Sequence, residues 1–198
     1  MTQVKDEVKV VEKVVVAFDM CSSSTIIEDL TLTGNLKAMR DILILTKNFL
    51  QLKSKEIGFH RYKFTGDGWI LLFPMDIPGA ELMAFLTKLS KRFKAQLTRK
   101  VLSVLDEVPD ITGLTFGLDR GKLISVIMDR KREYIGRPLN VACRLQKAIK
   151  EGGSDPQYKV LMSKHAFRAW SGNLAEYKPA EVTRRLRNIR GGKRLDCA

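Results

Sequence analysis

The spacing of apolar positions changes several times along the chain, and each change predicts a new element. The first strong signal is a valine-rich run at residues 11–20, VEKVVVAFDM, which contains Asp19 near its end and is typical of a buried central strand. At residues 35–55 the apolar side chains recur every three or four positions, which predicts a long amphipathic helix. The two short runs that follow, IGFHRYKF and GWILLFP, predict a β-hairpin with a type I′ turn at Asp67 and Gly68.

The second half of the chain continues to alternate helices and strands. A second long amphipathic pattern covers residues 77–105, and Pro109 stops it. Two strands are predicted next, around a turn at residues 119–121 (Asp-Arg-Gly), and then a helix with Pro138 in its first turn. A short strand (YKVLMS) and a short helix (SKHAFRAW) follow. The predicted order is β-α-α-β-β-α-β-β-α-β, which favours an α/β (α+β) sandwich with a mostly antiparallel sheet covered by helices.

The length and composition fit a single domain. The 198 residues, of which 44% are hydrophobic, can form one sizeable core, which we place at about residues 11–163, with a basic C-terminal extension at 176–198. The sequence contains no run of about 18 uncharged apolar residues, no secretory signal pattern and no metal-ligand spacing of its three cysteines. We therefore expect one cytoplasmic domain, residues 1–198, with reduced thiols and no membrane partner.

The charge of the chain indicates an anionic partner. Lysine and arginine number 35 against 22 acidic residues, which gives a formal net charge of +13. Nucleotide phosphates, nucleic acid or an acidic surface could each be that partner. We do not expect nucleic acid, because a run of basic residues is weakly specific and the sequence shows neither paired RNA-binding aromatic residues nor a zinc spacing.

Two aspartates follow strand-like runs in the first half of the chain. Asp19 comes near the end of the valine-rich run, and Asp67 is at the tip of the predicted hairpin. Either residue alone is more simply a turn former or a helix cap. Placed side by side on neighbouring central strands, however, the two carboxylates would repel each other, and a bound cation would relieve that repulsion. Such oxygen ligands suit Mg²⁺ or Mn²⁺, with substrate phosphates completing the coordination.

A second polar set lies in the predicted helix that contains Pro138. Asn140 and Arg144 are four residues apart and therefore share one face of that helix, with Arg137 one turn earlier. Taken alone, this pattern is that of a solvated arginine with a local amide partner.

Four blocks of the sequence, taken together, resemble the catalytic domain of class III nucleotidyl cyclases, the adenylate and guanylate cyclase family. The blocks occur in this order between about Val11 and Ser163: VVVAFDMCSSST, KFTGDGWILLF, FGLDRGKL and EYIGRPLNVACRL. The chain reads DMCSSST where an adenylate cyclase usually has Asp-Ile-x-Gly-Phe-Thr. This departure and the bulky Tyr62, Phe64 and Tyr134 are most similar to the bacterial anti-phage pyrimidine cyclases (Pycsar type).

The resemblance implies a role for individual residues. Metal ions would be bound by Asp19, Asp67 and the backbone carbonyl of Met20, and the base would be contacted by Lys63 and Glu133. Asn140 would orient the ribose and Arg144 would stabilise the transition-state phosphate, while Arg130 and Lys193 are weaker candidates for phosphate binding. The implied fold is a ferredoxin-like βαββαβ core.

The implied reaction is conversion of a nucleoside triphosphate to its 3′,5′-cyclic monophosphate and pyrophosphate, with two Mn²⁺ or Mg²⁺ ions per site. The implied assembly is a homodimer with two sites shared between its chains. We expect the Lys63 and Glu133 pair to disfavour guanine, which leaves adenine, cytosine and uracil open. The resemblance favours UTP or CTP, and an antiviral second messenger for a downstream effector protein. The alternatives are an adenylate cyclase that makes cyclic AMP, and an inactive cyclase-like or nucleic-acid-binding basic module.

Overall fold

The computed structural model describes residues 8–150 and 159–170, together with 172, 174, 177, 180–186, 189 and 195–197. In chain order the elements are β1 Lys9–Met20, α1 Ser23–Leu32, α2 Leu36–Ile57, β2 His60–Phe64, β3 Trp69–Phe73, α3 Gly79–Lys100, β4 Leu114–Met128, β5 Lys131–Ile135, α4 Arg137–Lys150, β6 Val160–Met162, α5 Lys164–Arg168, β7 Val182–Arg184 and β8 Leu195–Cys197. The predicted alternation of helices and strands is confirmed.

The main sheet has six strands and is mostly antiparallel, as predicted. Its strand order is β2-β3-β1-β4-β5, and β6 adds to β4 in parallel. The central strand β1 pairs with β3 on one side, through Val14 to Phe18, and with β4 along its whole length on the other. A separate two-stranded sheet joins β7 to β8 in the predicted C-terminal extension.

The two faces of the sheet pack against different helices. Because side chains alternate along β1, Val14 and Val16 face the large core under α1, α2 and α3, whereas Val15 and Ala17 face α4. The core under the first three helices holds most of the buried aromatic side chains. The cluster of buried side chains on the face toward α4 is smaller. Asp19 is two residues after Ala17, so it lies on the α4 face.

The sheet is curled, as a contact between β2 and β5 at the two ends of its five-strand order shows. Tyr62 on β2 lies edge-on to Tyr134 on β5, with ring centroids 5.2 Å apart and an interplanar angle of 86°. These strands stand at opposite ends of the five-strand order. The strong twist that long antiparallel strands allow brings the edges together over the face that carries α4.

The predicted turn at residues 119–121 was wrong. β4 runs without interruption from Leu114 to Met128, and the turn lies instead at Asp129 and Arg130, both with positive φ as a type I′ turn requires. The sequence Asp-Arg-Gly is typical of turns, but here Asp119 is fully buried at the middle of the strand. Pairing with the full length of β1 outweighs that local preference.

The hairpin between β2 and β3 is confirmed, but its turn is one residue earlier than predicted. The Thr65 N–H donates to the Gly68 carbonyl oxygen at 3.0 Å, which makes Gly66 and Asp67 the central residues. Gly66 supplies the positive φ of 106°, and Gly68 has no positive φ. Asp67 therefore remains at the tip, as expected, although the type I′ pair at Asp67 and Gly68 is not formed.

Within the residues that the structure describes, every helix is too short or too polar to cross a bilayer.

Candidate functional site

The hairpin tip that carries Asp67 packs directly against the end of β1. Phe18 pairs with Trp69, so the residues just before Trp69 lie beside the last residues of β1. A Cβ atom on Gly68 would stand 1.9 Å from the Phe18 carbonyl oxygen and 2.8 Å from the Asp19 Cα. Only glycine permits this approach, and as a result the Asp67 and Asp19 backbones are neighbours, as the sequence predicted.

The chemistry of this pair fits a divalent cation. Both aspartates are half-buried, and the Oδ1 atom of Asp19 is fully removed from solvent. The Met20 side chain is buried in the main core, so only its backbone is placed to face the aspartates. Hard cations such as Mg²⁺ take oxygen ligands and often only one or two carboxylates from the protein. No cluster of three or more His, Cys, Asp or Glu that could hold a metal ion exists among the described residues.

A buried polar pair fixes α4 behind Asp19. Thr115 of β4 lies directly opposite Asp19, and its hydroxyl accepts a hydrogen bond of 2.9 Å from the Gln146 side-chain amide of α4. The helix can approach this closely because Gly117 has no side chain, and a Cβ there would lie 2.0 Å from the Ala142 carbonyl oxygen. The helix that carries Asn140 and Arg144 is thereby locked to the strand beside the aspartates.

A β-bulge on β2 places two consecutive side chains on one face. The register shifts between Arg61 and Lys63, so that Arg61 pairs with Leu71 and Lys63 with Ile70. Ile70 faces α4, and Tyr62 packs partly against the same cluster. The bulge therefore directs both Tyr62 and Lys63 toward the α4 side of the sheet, which regular alternation would forbid.

Tyr62 holds Glu133 by a short hydrogen bond. The Tyr62 hydroxyl donates to the Glu133 carboxylate at 2.5 Å and accepts from the Tyr134 backbone N–H at 3.1 Å. Burial raises the pKa of the Tyr62 phenol, and the bond to Glu133 raises it further. Lys63 is the next residue along β2, so the strands that carry the two predicted base-contacting residues are joined through Tyr62.

The outward stripe of α4 carries three polar residues on successive turns. Arg137 and Asn140 are exposed, and Arg144 is half-buried, whereas the intervening Val141 and Ala142 are buried. Asn140 and Arg144 therefore share a face, as predicted. Arg137 lies on the same face of α4, one turn before Asn140, as its spacing in the sequence indicates.

Arg137 is tied to a buried aspartate. Its Nη1 atom lies 3.4 Å from Oδ2 of Asp119, whose other oxygen accepts a 2.5 Å hydrogen bond from the Ser163 hydroxyl. The Asp119 side chain is 0% exposed and that of Arg137 is 50% exposed, so the guanidinium spans from the interior to the surface. Burial raises the pKa of the Asp119 carboxyl, while Ser163 and Arg137 act in the opposite direction.

Replacing Asp119 with asparagine should change stability in a pH-dependent way. A folded-state pKa above the ordinary value of 3.8 means that the protonated form is favoured in the fold, so stability is lost as the pH rises through the raised pKa. An asparagine side chain has the shape of the aspartate and can still accept the hydrogen bond from the Ser163 hydroxyl, but it carries no negative charge. The free energy of unfolding of the variant, measured in urea, should therefore increase relative to that of wild type as the pH rises above the ordinary carboxyl value of 3.8. A difference between the two proteins that does not change with pH would contradict the burial argument.

Of the two residues predicted to contact phosphate, Arg130 lies within the part of the chain that the structure describes. Arg130 is exposed at the turn between β4 and β5, with φ of 62°. It is not brought together with the aspartates or with Arg144 by any contact of the described residues. Lys193 lies outside the described residues.

The sequence matches no protein-family model and no curated protein. Among solved structures, the adenylyl cyclase CyaB from P. aeruginosa superposes with a TM-score of 0.68 at 15% identity, over 96% of this chain and 94% of that one. The guanylyl cyclase Cya2 superposes with a TM-score of 0.66 at 13% identity, over 96% and 91%. A bacterial light-regulated adenylyl cyclase gives 0.63 at 15% identity, and this chain spans about half of its length (53%). At these identities the similarity shows the fold, which is that of class III cyclase catalytic domains.

Proposed function

We propose that this protein is a nucleotidyl cyclase that converts a nucleoside triphosphate, UTP or CTP, to its 3′,5′-cyclic monophosphate and pyrophosphate. The observation that carries the proposal is the close approach of Gly68 to the end of β1, which makes neighbours of Asp19 and Asp67. It occurs in a fold shared with solved adenylyl and guanylyl cyclase domains.

In this proposal some residues bind the metal ions and the substrate, and others stabilise the charge of the transition state. Asp19, Asp67 and the Met20 carbonyl would hold the ions. Two bound Mg²⁺ or Mn²⁺ ions would supply polarisation of the ribose 3′-oxygen and of the α-phosphate that it attacks. Asn140 would orient the ribose, and Arg144 would offset the negative charge that develops on the phosphate in the transition state. Little covalent help from the protein is needed, because positioning contributes much of the acceleration.

The complete site requires two chains in this proposal. We assign the aspartates of one protomer and Lys63, Glu133, Asn140 and Arg144 of its partner to one site, and the reverse to the second. Lys63 and Asn140 are exposed, which leaves them accessible to a second chain. A symmetric homodimer would then contain two equivalent sites.

The environment of Glu133 favours a one-ring base. The Tyr62 hydroxyl is bonded to Glu133, and its ring stands against Tyr134 at 5.2 Å. These two rings lie beside Glu133, which is proposed to contact the base. A purine places its hydrogen-bonding edge further from the ribose than a pyrimidine does, so rings that narrow the pocket at this edge would favour the pyrimidine. On the sequence resemblance, we further propose that the product is formed in the cytoplasm as an antiviral signal for a separate effector protein.

The direct test is incubation of the purified protein with each of the four nucleoside triphosphates and Mn²⁺, with products identified by mass spectrometry. We expect cyclic UMP or cyclic CMP and an equal amount of pyrophosphate. The steric argument above requires that ATP be turned over at least about tenfold more slowly than UTP or CTP, as expected for a substrate that a pocket excludes by one extra group or more.

The other outcomes identify the alternatives. Cyclic AMP as the only product would make the protein an adenylyl cyclase and would overturn the base assignment. Nucleotide binding without any cyclic product would support a catalytically inactive cyclase-like protein. Retention on DNA that is unchanged by Asp19→Ala, with no nucleotide turnover, would support a nucleic-acid-binding module instead.

A further inference from the structure

We propose that the outer face of α3 is a binding site for single-stranded nucleic acid. Three cations, Lys88, Lys91 and Arg92, line an open groove along this helix together with Tyr177. The groove lies on the side of the sheet that carries α1, α2 and α3, whereas Asp19 lies on the side of α4. Binding there is therefore independent of the proposed cyclase reaction.

The exposed face of α3 is strongly basic. Its single acidic residue, Glu81, lies near the start of the helix, and five exposed cations follow: Lys88, Lys91, Arg92, Lys94 and Arg99. None of the five forms an ion pair with a residue that the structure describes. Positive charges three or four residues apart on a helix repel each other. An anionic partner that covers this face would relieve the repulsion.

The macrodipole of α3 does not account for these charges. Cations are favourable near the C-terminal end of a helix, but the effect falls off within the last turn. The helix ends at Lys100, so Lys88, Lys91 and Arg92 lie in its middle turns. Their positions therefore favour a ligand over a contribution to the stability of the helix itself.

The groove has the dimensions of an extended ligand. It has a volume of about 740 Å³ and follows α3 from Ala84 to Gln96, which is about 18 Å along the helix axis. No acidic residue lines it. A second depression shares Lys91 with the groove and adds Lys159, so the cationic surface continues beyond α3. A polyanion could therefore contact several cations in succession.

Arg92 is restrained in a way that leaves its hydrogen-bond donors available. The guanidinium carbon lies 5.4 Å from the centroid of the Phe49 ring of α2. This contact uses a face of the guanidinium, whereas its five N–H donors lie in its plane. A planar guanidinium can bind a phosphate through two parallel hydrogen bonds.

The lining of the groove favours nucleic acid over other polyanions. Sites for single strands combine cations that follow the backbone with an aromatic ring on which a base stacks. Tyr177 supplies such a ring beside the three cations, and it packs partly against the main core, which restrains it. Membrane surfaces are instead bound by cations next to large apolar side chains, whereas the other residues that line this groove are alanine, threonine and glutamine. The basic residues of the sequence alone are weakly specific, and it is their arrangement around Tyr177 that indicates nucleic acid.

The test measures binding of a fluorescently labelled oligothymidylate by the full-length protein, through fluorescence anisotropy. An oligonucleotide of about twelve residues is within the length that such sites cover. The triple variant Lys88→Ala, Lys91→Ala, Arg92→Ala should bind it at least about tenfold more weakly near physiological salt. Each lost phosphate contact lowers the slope of log K against log salt by about 0.7 for a single strand, so the slope should fall by about two.

Two further variants separate this site from the overall charge. Lys9→Ala, Lys122→Ala, Lys131→Ala removes the same charge through exposed lysines of β1, β4 and β5, and it should keep the affinity and the salt slope of wild type. Tyr177→Leu keeps an apolar side chain and should weaken binding by about tenfold, as for loss of one stacked base. Its salt slope should be unchanged, because stacking releases no counterions. Urea unfolding shows whether each variant is folded.

The outcomes separate the possible partners. No binding by wild type, or equal losses in the two triple variants, would overturn the site. Equal affinity for a duplex of the same length, with no effect of Tyr177→Leu, would overturn the assignment to a single strand. Tighter binding to vesicles of phosphatidylglycerol and phosphatidylcholine in equal parts, lost in the α3 triple variant, would show a membrane surface instead.

The result is also separable from the proposed cyclase function. Asp19→Asn should bind the oligonucleotide as wild type does, because the aspartates lie on the other side of the sheet. Loss of oligonucleotide binding in Asp19→Asn, in a folded protein, would overturn the independent site on α3. A protein that forms no cyclic product but binds the oligonucleotide through α3 would support this site while the proposed catalysis fails.

Discussion

Replacing Asp19 with asparagine should abolish cyclic nucleotide formation while leaving the protein folded. The amide has the shape of the carboxylate but lacks the negative charge that a divalent cation requires. Because metal ions contribute several kcal/mol of charge stabilisation at such sites, we expect the rate to fall by roughly a thousandfold or more. Product formation by mass spectrometry and the thermal midpoint of unfolding measure the two halves of this prediction. Asp67→Asn should behave in the same way.

A matched control comes from an aspartate beyond the opposite end of β3. Asp76 is exposed three residues after Phe73, the last residue of β3, whereas Asp67 precedes the first residue of that strand, Trp69. Replacing Asp76 with asparagine removes the same charge from a protein of high positive charge. This variant should keep wild-type activity. If Asp76→Asn were as damaging as Asp19→Asn, the loss would reflect the overall charge and not a metal site.

Mixing two inactive variants tests whether the site is shared between chains. Asp19→Asn removes the aspartate half of each site, and Arg144→Ala removes the other half. In a mixed dimer both changes fall on one of the two sites, and the second site is intact. Random pairing of equal amounts should therefore restore about a quarter of the wild-type activity, since half of the dimers would carry one intact site of two. No recovery, from variants shown to exchange subunits, would contradict the shared site.

The long helices could be predicted closely from the sequence because their packing is periodic. The apolar pattern at 35–55 corresponds to α2 at Leu36–Ile57, and that at 77–105 contains α3 at Gly79–Lys100. The prediction failed at Asp119, where the local sequence is typical of a turn. The partners that satisfy its buried carboxylate, Ser163 and Arg137, lie 44 and 18 residues away. A local pattern contains no information about such distant partners.

In the candidate site, too, local sequence patterns predict some features, whereas others depend on contacts between distant parts of the chain. The neighbouring aspartates and the outward stripe of Asn140 and Arg144 could be predicted, because each depends on the end of a strand or on helical spacing. The bond between Tyr62 and Glu133 could not, since it requires both a register shift on β2 and a curl of the whole sheet. The buried link between Asp119 and Arg137 was missed because Asp119 had been placed in a turn.

Replacing Gly68 with alanine should damage both stability and activity. The new methyl group would stand 1.9 Å from the Phe18 carbonyl oxygen, so the hairpin tip must move away from β1. Overpacking against backbone that cannot yield typically costs about 1–3 kcal/mol, and we expect a value near the top of that range in urea unfolding. The displacement would also separate Asp67 from Asp19. We therefore expect cyclase activity to be lost even at temperatures where the variant is fully folded.

Gly66→Ala provides the matched comparison within the same turn. Gly66 has a φ of 106°, but a Cβ there meets no atom within 4 Å. Its replacement should cost only the conformational strain of an alanine at positive φ, about 1–2 kcal/mol, and should keep most of the activity. A larger loss of activity for Gly66→Ala than for Gly68→Ala would show that the backbone conformation of the turn governs the site. The opposite result would show that the site depends on how closely the turn approaches β1, because that approach is what makes Asp67 a neighbour of Asp19.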